Sequence, residues 1–519
     1  MSLSYLFLLS LPFLLLTFFS SLIPKYINAN TKLPSSNGPP SHPVIGCLIA
    51  FNKNRSRLIH WYTQLLSESP TRTIVVNRLG ARRTVVTANP DNVEHILKTK
   101  FDNYPKGKPF TEILGDLLGL GIFNVDGDLW TVQRKLASHV FSAKSLKELV
   151  VKTLEEEVQN RLVPLLDTAA QSDSVLDLQD VLKRFAFDTI CKLSLGVDPC
   201  CLDYVLPPLP SLVKAFDTAS EISAMRSMAP VHTVWKLKKA FSIGSEKKLR
   251  EAVQLVHDSV NQIIKVKKEK MRSDDEADNK NGDLLSKLLQ AGHQNDVVRD
   301  MVISFIMAGR DTTSATMTWL FWLLSRNRDV EEEVLKEAVL VNDGEKPLDY
   351  DELKEMGYLK ACLCESMRLY PPVVWDSKHA VADNVLPDGT RVYKGNRVTY
   401  FPYGMGRMEE LWGEDRLEFR PDRWFDEPGV MKAVSPYKFP VFQAGPRVCL
   451  GKEMAYIQMK YVVASVVRRF EIRPVRLEEP LYVPLLTAHM AGGFKVKGVI
   501  LKNSIPVKSY GIDSALPFL

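Results

Sequence analysis

Several features are missing from this 519-residue sequence. It has no CxxC pair and no Cys/His cluster, so no zinc site is expected from spacing. It has no Gly-rich GxGxxG pattern between a strand and a helix, so the chain does not bind NADPH in that way by itself. Neither sign of charge dominates: 67 Lys and Arg face 61 Asp and Glu, a net +6. No basic block interleaved with aromatics occurs, which excludes a nucleic-acid partner. There is no internal repeat. The seven cysteines are an odd number in a long chain, which fits a reduced, cytosol-facing body in which most thiols act as small buried hydrophobes. The remaining composition is globular, with 45% hydrophobic and 25% charged residues.

Long uncharged runs are almost absent too, except at the start. Leu3 to Ile23 carries no charge and is rich in Leu and Phe. Roughly 20 apolar residues suffice for a membrane helix. A cleaved signal peptide is the alternative, but nothing basic precedes this run and it is too long. Residues 1–23 are therefore expected to be a transmembrane anchor. Lys25, Lys32, Lys53 and Arg55 follow it, which puts the body in the cytosol and the N-terminus in the lumen. Residues 24–46 hold five prolines and are expected to form a stiff, extended hinge. The catalytic body is expected over 47–519.

Within the body, Thr73 to Arg78 and Arg83 to Ala88 have the pattern of a hairpin around Gly80. Helical periodicity dominates from about Asp91. Residues 265–283 mix both charges without an apolar period and are expected to be a solvated loop. Asp296 to Asn327 is the longest helical pattern. At 1.5 Å per residue it would run about 50 Å, and it is apolar nearly all round, as a buried helix is. A second membrane span is disfavoured by Arg310 and Asp311 at its centre. After Tyr370 short strands and turns take over, with one late helix from Lys452 to Phe470. The expected class is mainly α with small β-sheets at both ends of the body.

The strongest chemical signal is Phe442-Gln-Ala-Gly445-Pro-Arg447-Val-Cys449-Leu-Gly451. Its glycines would let a loop approach a flat cofactor. Cys449 is read as directly preceding a helix from Leu450, whose N–H groups would favour the thiolate that an iron ligand must be. Arg447 could meet an anionic cofactor edge. A lone cysteine beside a turn would be read as structural. Five fixed positions, each with a chance of about one in twenty, make a random match improbable.

This FxxGxRxCxG pattern resembles the haem-binding loop of the cytochrome P450 superfamily. Three further motifs occur in that family's order. Glu365-Ser-Met-Arg368, with Arg423 downstream, is similar to its structural Glu–Arg–Arg network. Ala308-Gly309-Arg310-Asp311-Thr312-Thr313 resembles its oxygen-activation groove, in which Asp311 and Thr312 would deliver protons. There Gly309 would leave room for something to approach the helix, and Thr312 could bond back to Ala308. Trp130-Thr-Val-Gln-Arg134 resembles the pair that binds a haem propionate, with Arg447 and Lys378 as further cationic contacts.

The resemblance implies a cytochrome P450 fold after one transmembrane helix. It implies haem b held by Cys449, the metal ligand, with Trp130, Arg134, Lys378, Phe442 and Arg447 around it. It implies electrons from NADPH through the FAD and FMN of NADPH–cytochrome P450 reductase, dioxygen as co-substrate, and an endoplasmic reticulum membrane location. Substrate contacts are implied in Lys106 to Phe123, Thr218 to Met228, Met301 to Thr312, Val373 to Ser377 and Leu485 to Ala491.

Gly121 to Trp130 looks like plant members that hydroxylate the ends of fatty acyl chains. Trp375 to Ala380, Tyr403 to Arg407 and Pro436 to Phe442 resemble the plant subfamily that oxidises jasmonoyl-isoleucine at its terminal carbon. This implies a small lipid-like substrate carrying a carboxylate. Lys106, Lys108, Arg226 and His489 stand as cations to meet it, although each could equally be a solvated charge. Fatty-acid ω-hydroxylation and steroid side-chain (C26) hydroxylation are the neighbouring alternatives. A reductase-independent haem-thiolate isomerase and a non-enzymatic haem sensor or scaffold are the others. The Asp311–Thr312 pair and the anchor argue against the isomerase, and the scaffold would not need that pair.

Overall fold

The apolar stretch after Gln294 forms one continuous helix, Asn295–Arg326, and the rest of the chain is built around it. The computed structural model describes residues 38–500, apart from 143, 204–205, 207–208, 230–231, 274–282, 343–345 and 428. The anchor expected over 1–23 lies outside the described residues. Among the described residues, no helix is long and apolar enough to cross a membrane.

The helices that shape the site are, in chain order, α1 (Lys108–Leu118), α2 (Gly127–Ser142), α3 (Leu178–Leu195), α4 (Ser211–Met228), α5 (Ser245–Ser273), α6 (Asn295–Arg326), α7 (Gly357–Leu369) and α8 (Lys452–Val467). The long helix α6 packs most extensively on α3. Asp177 caps α3 by accepting from the Gln179 and Asp180 N–H groups, which satisfies donors left over by the first turn. The two helices come close at Gly309, where an added Cβ would lie 2.6 Å from Ile190 Cδ1. The group that approaches the helix at Gly309 is therefore a neighbouring side chain.

The first part of segment 265–283 departs from expectation, because α5 runs on to Ser273; residues 274–282 lie outside the described residues. Leu249, Val253, Val256, Val260 and Ile264 form a buried stripe at helical spacing. Once that stripe has nucleated the helix, the Lys-rich residues after it extend the helix at little cost.

The hairpin strands β1 (Thr73–Val76) and β2 (Thr84–Thr87) pair antiparallel as read. The sequence reading kept the sheets at the two ends of the body apart. In the structure, β3 (Asp376–His379) and β4 (Arg397–Tyr400) join that hairpin in one sheet of order β1-β2-β4-β3. The pairing of β2 with β4 is parallel, Thr84 opposite Arg397, and β4 pairs antiparallel with β3, Arg397 opposite His379. The proline-rich segment also differs over its described part. His42 and Gly46 exchange backbone hydrogen bonds at 2.9 Å, and the Cys47 N–H donates to Asn77 O at 2.7 Å. Residues 42–46 thus close into a turn fixed on the hairpin, and do not extend as a free hinge. The ladder offers paired backbone partners that an extended, solvated strand would lack.

A buried ion cluster fastens α7 to the chain before the cysteine loop. Glu365 is fully buried and Arg368 is 1% exposed. Arg368 donates to both Glu365 oxygens at 2.8 Å, Arg423 Nε donates at 2.7 Å and Trp424 Nε1 at 2.9 Å. Arg368 also donates to Glu418 O at 3.0 Å. This is the structural network expected from the motif, and each polar group in it has a partner. Replacing Glu365 by Ala leaves two guanidiniums without their acceptor, a loss of about 3–5 kcal/mol. We expect Glu365→Ala to lower the urea midpoint sharply or abolish soluble folded protein, with Glu365→Gln in between. A Glu365→Ala protein as stable as the parent in urea would show that the cluster does not support the fold.

Candidate active site

The Phe442–Gly451 loop is shaped by backbone constraints. The Cys449 N–H donates to Phe442 O at 2.8 Å and closes the loop. Gly445 has φ of +64°, and a Cβ there would lie 2.1 Å from Leu97 O. The close approach that demands this glycine is thus to the chain's own backbone, and not to a cofactor. Gln443, with φ of +61°, is a strained non-glycine residue. The helix after the loop, α8, begins at Lys452, as the helical pattern indicated, with Gly451 as its N-cap, so Cys449 does not directly precede a helix from Leu450. Cys449 is exposed to a cavity; its withdrawal from bulk solvent pushes the thiol up and outweighs the Gly451 N–H, Arg134 and Lys452, which pull it down. A metal cation at the sulfur would supply the charge needed to hold the thiolate.

Cys449 borders a cavity of about 490 Å³. Its neighbours there include Phe442, Arg134, Phe141 and Leu450. Helix α6 contributes Ala308, Gly309, Thr312, Thr313 and Thr316 to the same cavity. Thr312 Oγ1 donates to Ala308 O at 2.7 Å, the back-bond expected from the sequence. Asp311 faces elsewhere. It borders a second cavity of about 230 Å³ with Lys183, Glu221 and His489. There its carboxylate lies 3.2 Å from Arg310, which also pairs with Asp217. The two residues read as one acid–hydroxyl pair border two separate cavities.

Cations collect around one part of the main cavity. Arg134, Arg447 and Lys106 all border it. Arg447 lies 4.5 Å over the Trp130 ring and donates to Asp126 at 2.7 Å. Asp126 also accepts the Lys106 and Gly107 N–H groups, each at 3.0 Å, and so fixes that loop. Burial lowers the Lys106 ammonium to about 7. His379 Nδ1 is 2.5 Å from Lys106 O, and its Nε2 is buried without a partner. Burial lowers this imidazole to about 4. One thiol, three cations and an orphaned imidazole nitrogen fit a haem, whose iron needs a soft donor and whose two carboxylates need positive partners.

Of the expected cofactor contacts, Cys449, Phe442, Arg134 and Arg447 border the cavity, while Trp130 supports Arg447 from behind. Lys378 does not reach it. It is buried and pairs with Asp376 at 2.8 Å. Ser377 and His379 on β3 face the cavity, as the alternation of a strand predicts; Asp376 borders it as well, and Lys378 is the one β3 residue that does not. His379 was missed, and the alternation within β3 was the available signal.

The four cations proposed for a substrate carboxylate also separate. Lys106 joins the cofactor cations, and Lys108 is exposed. Arg226 is buried and held by Glu246, by Asp116 at 2.8 Å and by Ile113 O at 3.1 Å. His489 borders the small cavity. All five segments expected to contact substrate do border the main cavity. One face of the β1-β2-β4-β3 sheet borders it too, and this contribution was not foreseen.

The cytochrome P450 family profile matches residues 36–490. Cytochrome P450 94B3 of Arabidopsis thaliana is 62% identical over 500 residues, 95% of this chain and 97% of that protein. Cytochrome P450 94B1 of the same plant is 60% identical over 479 residues, 91% of this chain and 93% of its own length. Cytochrome P450 94A1 of Vicia sativa is 46% identical over 468 residues, covering 88% and 90%.

The geometry makes Cys449 the one thiol bordering the main cavity among the described residues. Cys449→Ser replaces a thiolate donor by a poor neutral one. The ferrous carbon monoxide difference spectrum should lose its thiolate-type band, while far-UV circular dichroism stays the same. A band unchanged in the variant would remove Cys449 from the metal.

Proposed function

The chain belongs to the cytochrome P450 family, and from that premise we propose that it hydroxylates the terminal carbon of a carboxylate-bearing lipid, with jasmonoyl-isoleucine, oxidised at its carbon 12, as the foremost substrate. As in the rest of the family, the activity is that of a haem-dependent monooxygenase with a redox partner. The observation that carries the substrate reading is the main cavity. It is lined mostly by apolar side chains, such as Ile113, Leu114 and Phe305, and it contains both Cys449 and Thr312. A cavity of this kind suits a lipid chain whose end must be held near the cofactor. The sequence resemblance around Trp375–Ala380 narrows the choice to jasmonoyl-isoleucine. Plain fatty acids are the second reading, and a steroid side chain (C26) is the third.

Bound at Cys449, haem iron supplies the chemistry that activates dioxygen and inserts one oxygen atom into a C–H bond. The protein contributes placement. A terminal methyl has a strong C–H bond, so weaker neighbours must be kept away while the chain end is held in position. Thr312 and Asp311 carry the proton supply. The Thr312 hydroxyl stands in the main cavity, and Asp311 takes protons from the small polar cavity behind it. The presence of an acid next to a hydroxyl in the sequence, at Asp311 and Thr312, favours a monooxygenase over an isomerase or a scaffold. Electrons come from NADPH through the flavins of NADPH–cytochrome P450 reductase. The protein sits in the endoplasmic reticulum membrane through residues 1–23, with its body in the cytosol.

Two outcomes test this reading. Thr312→Ala should bind substrate nearly as well as the parent but form less product per NADPH, diverting electrons to peroxide. Equal coupling in the two proteins would count against Thr312. Membranes carrying enzyme and reductase, given jasmonoyl-isoleucine and laurate at equal concentration, should oxidise the conjugate preferentially at its terminal carbon by mass spectrometry. Faster turnover of laurate would leave only the ω-hydroxylase class, and oxidation of a sterol alone would leave only the monooxygenase.

A further inference from the structure

Gln443, inside the cysteine loop, takes φ of +61° and ψ of −179°, a backbone conformation that belongs almost entirely to glycine. A glycine there would be free of that strain. The side chain is therefore kept at a cost, and its contacts show what offsets it. Its Nε2 donates to Asp376 Oδ2 at 2.6 Å, and its Oε1 accepts from the Tyr400 hydroxyl at 2.5 Å. The backbone beside it leads directly to the thiol. The Gln443 N–H donates to Pro440 O at 3.1 Å, and the preceding carbonyl, Phe442 O, receives the Cys449 N–H at 2.8 Å.

The groups that receive Gln443 stand on the sheet. Asp376 and Lys378 are two residues apart on β3, and Tyr400 lies directly across from Asp376 on β4. All three are buried. Lys378 Nζ donates to Asp376 Oδ2 at 2.8 Å, and the Tyr400 hydroxyl, which shares its one proton, is 3.0 Å from the same oxygen. Burial would raise the Asp376 carboxyl, but Lys378 and then Lys106 hold it well below the usual carboxylate range. The bond from Gln443 is thus charge-assisted. The cluster is complete on the sheet by itself. Without Gln443, Asp376 keeps Lys378, and Tyr400 still has Asp376 to donate to. What Gln443 adds is a link from the sheet to the loop.

We propose that Gln443 is a positioning residue for Cys449, tying the cysteine loop to the buried Asp376–Lys378–Tyr400 cluster. The proposal rests on Cys449 as the haem ligand and deepens that reading. The loop is held at Gly445, against Leu97 O, and Gln443 supplies a second attachment two residues earlier. One attachment lets a loop pivot, whereas two fix its direction. A metal–sulfur bond tolerates errors of only about 0.2 Å, so a loop free to pivot releases its ligand more readily.

The test uses the full-length haem-loaded protein and reads ligation, not turnover. The ferrous carbon monoxide complexes of the parent and of Gln443→Gly are held in dilute urea, below the unfolding range, and the thiolate-type band is followed with time. Glycine relieves the backbone and removes the tie. Gln443→Gly should lose the band about ten-fold faster than the parent, the equivalent of one charge-assisted bond. Its urea midpoint by far-UV circular dichroism should be at or above the parent's. Gln443→Met, equal in length but without the amide, should lose the band as fast. Tyr400→Phe keeps Gln443, removes one of its two bonds and should fall between. If Gln443→Gly does not retain haem, Tyr400→Phe makes the same comparison.

A band that lasts as long in Gln443→Gly or Gln443→Met as in the parent would overturn the tie. So would a urea midpoint that falls in step with the band, since Gln443 would then support the fold as a whole. The premise fails separately. A Cys449→Ser protein that keeps the band removes Cys449 from the metal, whatever Gln443 does. Loss of the band in Cys449→Ser, together with a parent-like lifetime in Gln443→Gly, leaves the ligand in place and removes only the tie.

Discussion

A fully buried carboxylate, Glu365, holds the site in place. Removing it from water is costly, and that cost is offset only because Arg368, Arg423, Trp424 Nε1 and the Arg420 N–H all converge on it. The consequence extends along the chain. Trp424 packs on Phe439, with ring centroids 4.8 Å apart, and Phe439 leads into Pro440–Phe442 and the loop that presents Cys449. The loop is pinned from the other side by Gly445 against Leu97 O. Cys449 is thus set by two rigid bodies that its own ten residues do not contain, as a preorganised site requires.

Positive charge borders the main cavity in two places, and part of it is already met: Arg447 donates to Asp126 and to Val125 O, and Arg82 is exposed. Lys106, Arg134, Arg447 and the orphaned His379 Nε2 stand near Asp126 and the thiol, and Arg78, Arg82 and Arg397 stand at the end of the sheet. A protein alone gains nothing from burying the unpartnered His379 Nε2 and the Nε–H groups of Arg78 and Arg397. Conflicts of this kind are expected at functional sites, where a ligand completes what the fold leaves open. The strained backbone of Gln443 belongs to the same pattern. Its side chain is tied to Asp376 at 2.6 Å, and Asp376 also holds Lys378 and Tyr400.

Helix α6 separates two environments. Successive residues on an α-helix point about 100° apart, so Thr312 can face the large apolar cavity while Asp311 faces the small polar one. Arg310, between Asp217 and Asp311, keeps the acid anchored on its own side. The closeness of α3 at Gly309 and Ile190 fixes the rotation of the helix and hence this division.

The sequence alone determined the elements whose signals are local. The long helix, the hairpin, the cysteine loop and the Glu365–Arg368 pair each rest on spacing within one segment, and each has the predicted character. The loop Cys449–Gly451 and the turn at 42–46 show the limit, because their boundaries depend on hydrogen bonds to distant backbone. The resemblance to the family likewise selected Lys378, which the structure pairs with Asp376 while His379 turns inward. Only the tertiary structure decided which cations share a cavity. Arg78 and Arg82 lie more than 300 residues from Arg397 in the chain, and a parallel pairing of β2 with β4 brings them together. No periodicity within either segment encodes that register, because it is set by burial of the shared sheet face.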